Sequence, residues 1–265
     1  MQFVEKSNNA KGVNTEGVNI LPWVDVDKLV WSALSANEGA IHLLEANPNR
    51  IVWEELSCNP SAIHLLEENQ EKINWFGLSG NKNAMRLLEA NQDKISWRML
   101  SANPSAIHLL EQNLDKIDWA VLSTNPSALE LLKAHPNKID WDEMHANTNP
   151  EALQYVVEEF DRMLEESTLG ELEELQLDYE VLTSNPSAVH LLMDNLDCID
   201  WSMLCRNEGA IELIEANPDN IDWEMLSSNS SAIHLLEQNI DKINWYCLSE
   251  NTAIFNNSFE MYPIK

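Results

Sequence analysis

Tryptophan recurs at a fixed interval along this chain. Trp31, Trp53, Trp75, Trp97, Trp119 and Trp141 stand 22 residues apart, and so do Trp201, Trp223 and Trp245. Counting back 22 residues from Trp201 reaches Tyr179, which has the same flanking pattern, so ten units are written, with 16 extra residues between Trp141 and Tyr179. Six residues after each of the ten aromatics stands an asparagine, from Asn37 to Asn251. A period this constant leaves few architectures open: each unit must be one supersecondary element stacked on copies of itself.

Each unit reads as two short helices. In eight units the residue before the aromatic is Asp, Asn or Ser, an N-cap whose side-chain oxygen accepts a backbone N–H. An apolar residue ahead of that cap and a Leu or Met three after the aromatic occupy the positions of a hydrophobic staple. The recurrent Asn then caps a second helix, with Pro60, Pro104, Pro126 and Pro186 at its first position, where a missing N–H costs nothing. The Ala, Ile and two Leu of "PSAIHLLE" form the buried stripe of that helix. A further Asn beyond it, as at Asn47, Asn69, Asn91, Asn113, Asn195, Asn217 and Asn239, suits a left-handed C-cap. No run alternates with period two, so strands are not expected.

The few apolar side chains of one unit cannot offset the entropy of ordering 22 residues, so neighbours must share a core. The expected fold is all-α: an α-solenoid of about ten 22-residue two-helix repeats, with one 16-residue insertion. At helix spacings of about 9 Å it would be a curved rod on the order of 90 Å long.

The wording of the repeat, "LSxNPSAIHLLExNxDKIDW", resembles the short Asn-Pro helical repeats of proteins from large DNA viruses that infect algae and amoebae. The closing "LSENTAIFNNSFEMY" is similar to the way such arrays end, with Ile-Phe replacing Ala-Ile. The resemblance covers about residues 27–260 and implies a helical repeat fold and a viral origin. It carries no catalytic residues and no cofactor.

Departures from the repeat divide the chain. Residues 1–20 are polar and read as a flexible arm. Residues 21–147 form a first array opening with a capping half-unit around Trp23. Residues 148–178 hold an extended helix and an acidic insertion, residues 179–250 a second array, and residues 251–265 a C-terminal cap in which Ile254, Phe255 and Phe259 close the core. In the insertion, the second helix of its unit starts at Pro150 and runs about four turns to Glu166, and Gly170 permits a turn. Between Glu158 and Glu174 eight acidic residues stand against Arg162 alone. That segment is either a protruding acidic docking element, with Glu158, Glu159, Asp161, Glu165 and Glu166 as contacts, or a tolerated solvated insertion.

Apolar residues make up 44% of the chain, which argues against disorder, and the formal net charge is −28. Such a chain repels nucleic acid and anionic membrane, and a basic protein surface is the attractive partner. Cys58, Cys198, Cys205 and Cys247 fall at four points of the repeat and read as free thiols. Without an apolar leader or a run of about 18 apolar residues, a soluble intracellular protein is expected, in the host cytoplasm if viral, or packaged in a particle assembled there.

Chemistry is hard to place on this pattern. Five histidines share one slot of the second helix: His42, His64, His108, His190 and His234. Four are followed three residues later by Glu45, Glu67, Glu111 and Glu237. The slot lies opposite the Ala/Ile/Leu stripe, so these read as exposed helix-surface pairs and not as metal ligands, which would have to converge within about 2 Å of a shared ion. No nucleophile elbow, phosphate loop or zinc-hydrolase signature occurs. The informative positions are the two after the aromatic. The first holds Phe76, Arg98 and Tyr246 among small and acidic residues and is expected on the surface. The second holds Met99, Val121, Val181, Met203 and Met225 and is expected to complete the core. The function read from these features is a non-enzymatic protein–protein interaction solenoid without cofactors. The alternatives are a capsid-associated component bridging coat subunits and an acidic nucleic-acid mimic on a basic protein.

Overall fold

The computed structural model describes residues 13–166, 178–193 and 195–255. Among these the chain is helical, with no strand beyond one isolated bridge between Ile20 and Phe255. Five of the units have four short segments among the described residues, and the others lack one or two of them. In the unit of Trp53 they are the helix Trp53–Leu56, the 3-10 turn Pro60–Ala62, the helix Ile63–Glu68 and the 3-10 turn Gln70–Lys72. The two helices per unit are present, and 3-10 turns carry the connections.

The caps before the aromatics are as expected. Asn74, Ser96, Asp118, Asp140, Asp178, Asp200, Asp222 and Asn244 each accept a backbone N–H from the first turn of the helix that follows. The backbone N–H of Met203 holds the Asp200 carboxyl below its ordinary range, as charge-assisted capping requires. Three residues after each aromatic, a Leu column from Leu34 to Leu248, with Met144 at one place, is fully buried. Each such side chain contributes about 2 kcal/mol by leaving water.

The asparagines after the second helix are not left-handed. Asn69, Asn91 and Asn239 have φ near −135°. What selects Asn there is its amide donor: Asn69 Nδ2 donates to the carbonyl of Leu65, four residues back, and Asn47, Asn91, Asn113, Asn195, Asn217 and Asn239 repeat the bond. The side chain satisfies a helix-end carbonyl that has no backbone partner.

The ten-fold Asn does more than cap. Asn59 Oδ1 accepts from the N–H of Ser61, and its Nδ2 donates to the carbonyls of Ser35 (3.0 Å) and Asn37 (2.9 Å) in the preceding unit. The same donation crosses the insertion, from Asn185 to His145 and Asn147. It also joins the first unit to the last, because Asn37 Nδ2 donates to the carbonyls of Ser249 (2.9 Å) and Asn251 (3.2 Å). The array is therefore a closed ring and not an open rod. Ten identical steps return to the start when each rotates by about 36°.

The termini complete one unit between them. In the last unit the described residues end with the 3-10 turn Thr252–Ile254 and Phe255 and include no second α-helix. The N-terminal segment occupies that side. Leu21 N–H donates to the Ile254 carbonyl, Ile20 bridges Phe255, and the Val30 N–H donates to Ser249 Oγ. Lys28 lies 4.7 Å over the Trp245 ring, just as Lys72 covers Trp53 and Lys94 covers Trp75. Ile254 and Phe255 are buried as expected, but they pack on the first unit instead of capping a free end. Residues 13–20, assigned by sequence to the flexible arm, are partly docked: Val13 is buried, and Asn14 and Asn47 exchange two hydrogen bonds of 2.8 and 2.7 Å. Residues 1–12, Gly170 and Phe259 lie outside the described residues.

Candidate functional site

Two ion pairs identify the inner face of the ring. Lys82 reaches Glu38 at 3.6 Å and Arg206 reaches Glu250 at 3.3 Å, each pair 44 residues apart and so separated by one whole unit. On the outside of a ring, elements two units apart stand about 18 Å from one another at ordinary helix spacing. Only on the concave side can side chains span that step. Consecutive Trp helices lie side by side there, and the positions one, two and five after each aromatic project from them.

These positions are built on a uniform frame. Four residues after the aromatic stands Ser in seven units, a column that sequence reasoning left unused although it is written in every "LSxN". Ser57 Oγ donates to the Trp53 carbonyl and accepts from the N–H of Asn74 in the next unit. Ser35, Ser79, Ser101, Ser123, Ser227 and Ser249 do the same. Cys205 takes this place through its sulfur. His145 stands in the column at the insertion, and its buried Nε2 has no hydrogen-bond partner among the described residues.

On this frame the first position after the aromatic is exposed where the candidates stand. Phe76 is 55% and Tyr246 51% exposed, and Arg98 pairs with Asp118 at 3.2 Å. Phe76 and Arg98 belong to neighbouring units, whereas Tyr246 lies in the last. In the second position Met99, Val121, Val181 and Met225 are half-buried, and of these Met225 packs against the core, whereas Met203 is 38% exposed. Glu55 and Cys247 also occupy this position.

The acidic candidates sit on another element, the helix Pro150–Glu166, whose ends match the sequence reading. Its first turns are core, through Ala152, Leu153 and Val156. Beyond them Glu158 accepts from Gln154, and Glu159 pairs with Arg162. The side chains of Asp161, Glu165 and Glu166, and residues 167–177, lie outside the described residues.

The histidine slot is exposed, but its pairing differs from the i, i+3 reading. His64 Nε2 meets Glu45 of the preceding unit at 2.8 Å, His108 meets Glu89 at 2.9 Å, and His234 pairs with Glu215. Among the described residues only His42 takes the carboxylate three residues on, Glu45, at 3.1 Å. Burial alone would raise Glu45, and the bonds from His64 and His42 outweigh it and hold the carboxyl low. Three of the slot's histidines therefore link neighbouring units, and His42 braces its own helix.

The inner face also holds a notch. Ser32, Ala33 and Ala36 of the first unit leave a space of about 260 Å³ between Tyr246 and Glu250 on one side and Glu55 on the other. Such a surface can bind cations and aromatic or apolar groups. No family model matches the chain, and no curated protein or solved structure does either.

Proposed function

We propose that the ring is a non-enzymatic protein-interaction scaffold that presents its concave face to a partner with a basic surface. One observation carries this reading. The Trp, Leu, Ser and Asn columns hardly change around the ring, whereas the inward position after the aromatic changes from Glu54 to Phe76 to Arg98 to Ala120 in consecutive units. A frame that holds still while one face varies is how repeat proteins build binding surfaces. The net charge of −28 favours a cationic partner. A role in a large DNA virus rests on the wording of the repeat.

Affinity purification from cells, followed by mass spectrometry, tests the reading with the wild-type chain and a Phe76→Ala/Arg98→Ala double variant. A partner retained by the wild type and lost by the variant is the expected outcome. If every retained protein binds the variant equally well, the concave face is not the recognition surface.

A further inference from the structure

Unit 1 is the one unit whose three inward positions are all small: Ser32, Ala33 and Ala36. The notch this leaves is walled by side chains of one chemical character. Tyr246, half exposed, and Glu250 come from the last unit, and Glu55 comes from the second. Among the described residues no basic side chain lines it. The ring itself shows what such a gap accepts. Glu250 already receives the Arg206 guanidinium at 3.3 Å, reaching across one intervening unit. The gap from Glu250 to Glu55 spans the same number of units in the other direction, with a carboxylate at both ends and, among the described residues, no cation lining it.

We propose that this notch is a receptor for one arginine side chain presented by a partner protein, which rests on reading the concave face as the interaction surface. A guanidinium is planar, so it can stack on the Tyr246 ring while its edge donates to both carboxylates. An ammonium offers a point charge without the stacking plane. The small floor gives the aliphatic stem room to enter. The surroundings are negative as well: burial pushes the Cys247 thiol up, and the charges of Glu250 and Glu224 add to it. Phosphate and carboxylate ligands are repelled here.

The probe is N-acetyl-arginine amide titrated into the full chain and followed by amide NMR, with N-acetyl-citrulline amide as its isosteric neutral control. Saturating shifts centred on Ser32, Glu55 and Tyr246 are expected with the arginine compound and none with citrulline. Glu55→Gln and Tyr246→Leu should each weaken the affinity about tenfold, with unfolding midpoints confirming that both variants remain folded. Glu71→Gln, an exposed carboxylate outside the notch, should leave the affinity unchanged. Shifts that spread over the whole surface without saturating, or a Glu55→Gln variant that binds like wild type, overturn the proposal. The two readings fail separately. A silent notch with a partner still lost on Phe76→Ala/Arg98→Ala removes the arginine receptor alone. A positive notch with partners indifferent to that double variant removes the broader reading.

Discussion

Asn103 illustrates how much one residue can do in a repeat. Its Oδ1 accepts from the N–H of Ser105, and its Nδ2 donates to the carbonyls of Ser79 and Asn81 at 3.0 and 2.9 Å, the latter two bonds buried. Losing a cap alone costs roughly 0.5–2 kcal/mol, and withdrawing a donor from buried carbonyls adds to that. Asn103→Ala should therefore cost about 2–3 kcal/mol in a denaturant titration. Asn103→Asp separates the two roles, since Asp caps as well as Asn but cannot donate. It should destabilise at least as much as Ala, because it turns a charge toward two carbonyl oxygens. A near-neutral Asp variant would mean that capping is the whole role.

At the scale of elements, the insertion tests how independent the units are. The bonds from Asn185 to His145 and Asn147 step over it, and the buried side chains described on the long helix, Ala152, Leu153 and Val156, belong to its first turns. Deleting residues 158–174 and rejoining with a short linker should leave the helical content of the remaining chain and its cooperative unfolding in place. Circular dichroism and a thermal scan measure both. A chain that loses its transition would show the insertion to be part of the packing.

At the scale of the molecule, closure has consequences for shape, stability and association. A closed ring should have a radius of gyration of about 18–20 Å, close to that of any compact domain of this length. An open rod on the order of 90 Å long would give about 26 Å, and small-angle scattering separates the two. Phe255, buried against the first unit, holds the seam. Phe255→Ala should cost roughly 3–5 kcal/mol of closure and speed hydrogen exchange first in the units of Trp31 and Trp245. Equal protection in every unit would mean that the seam is no weaker than any other joint. With a net charge of −28, partner association should slow clearly between about 0.05 and 0.3 M salt. Salt-independent rates would assign recognition to apolar contacts at Phe76 and Tyr246 and leave the acidity a matter of solubility.

Helices, caps and buried columns were legible in the sequence because each depends on residues a few positions apart. Asp118 caps the helix it precedes, and the Leu column follows the helical period, so local chemistry decides them. The exposure of Phe76, Arg98 and Tyr246 was legible for the same reason, from their register after the aromatic. What local patterns could not carry is the rotation from one unit to the next. That rotation sums small packing terms at every interface, and a few degrees per step separate an open spiral from a ring. Closure in turn decided that Asn37 meets Asn251 and that Tyr246 and Glu250 face Glu55 across Ser32. These residues lie about two hundred positions apart in the chain. The notch they form exists only where the ends of the chain meet.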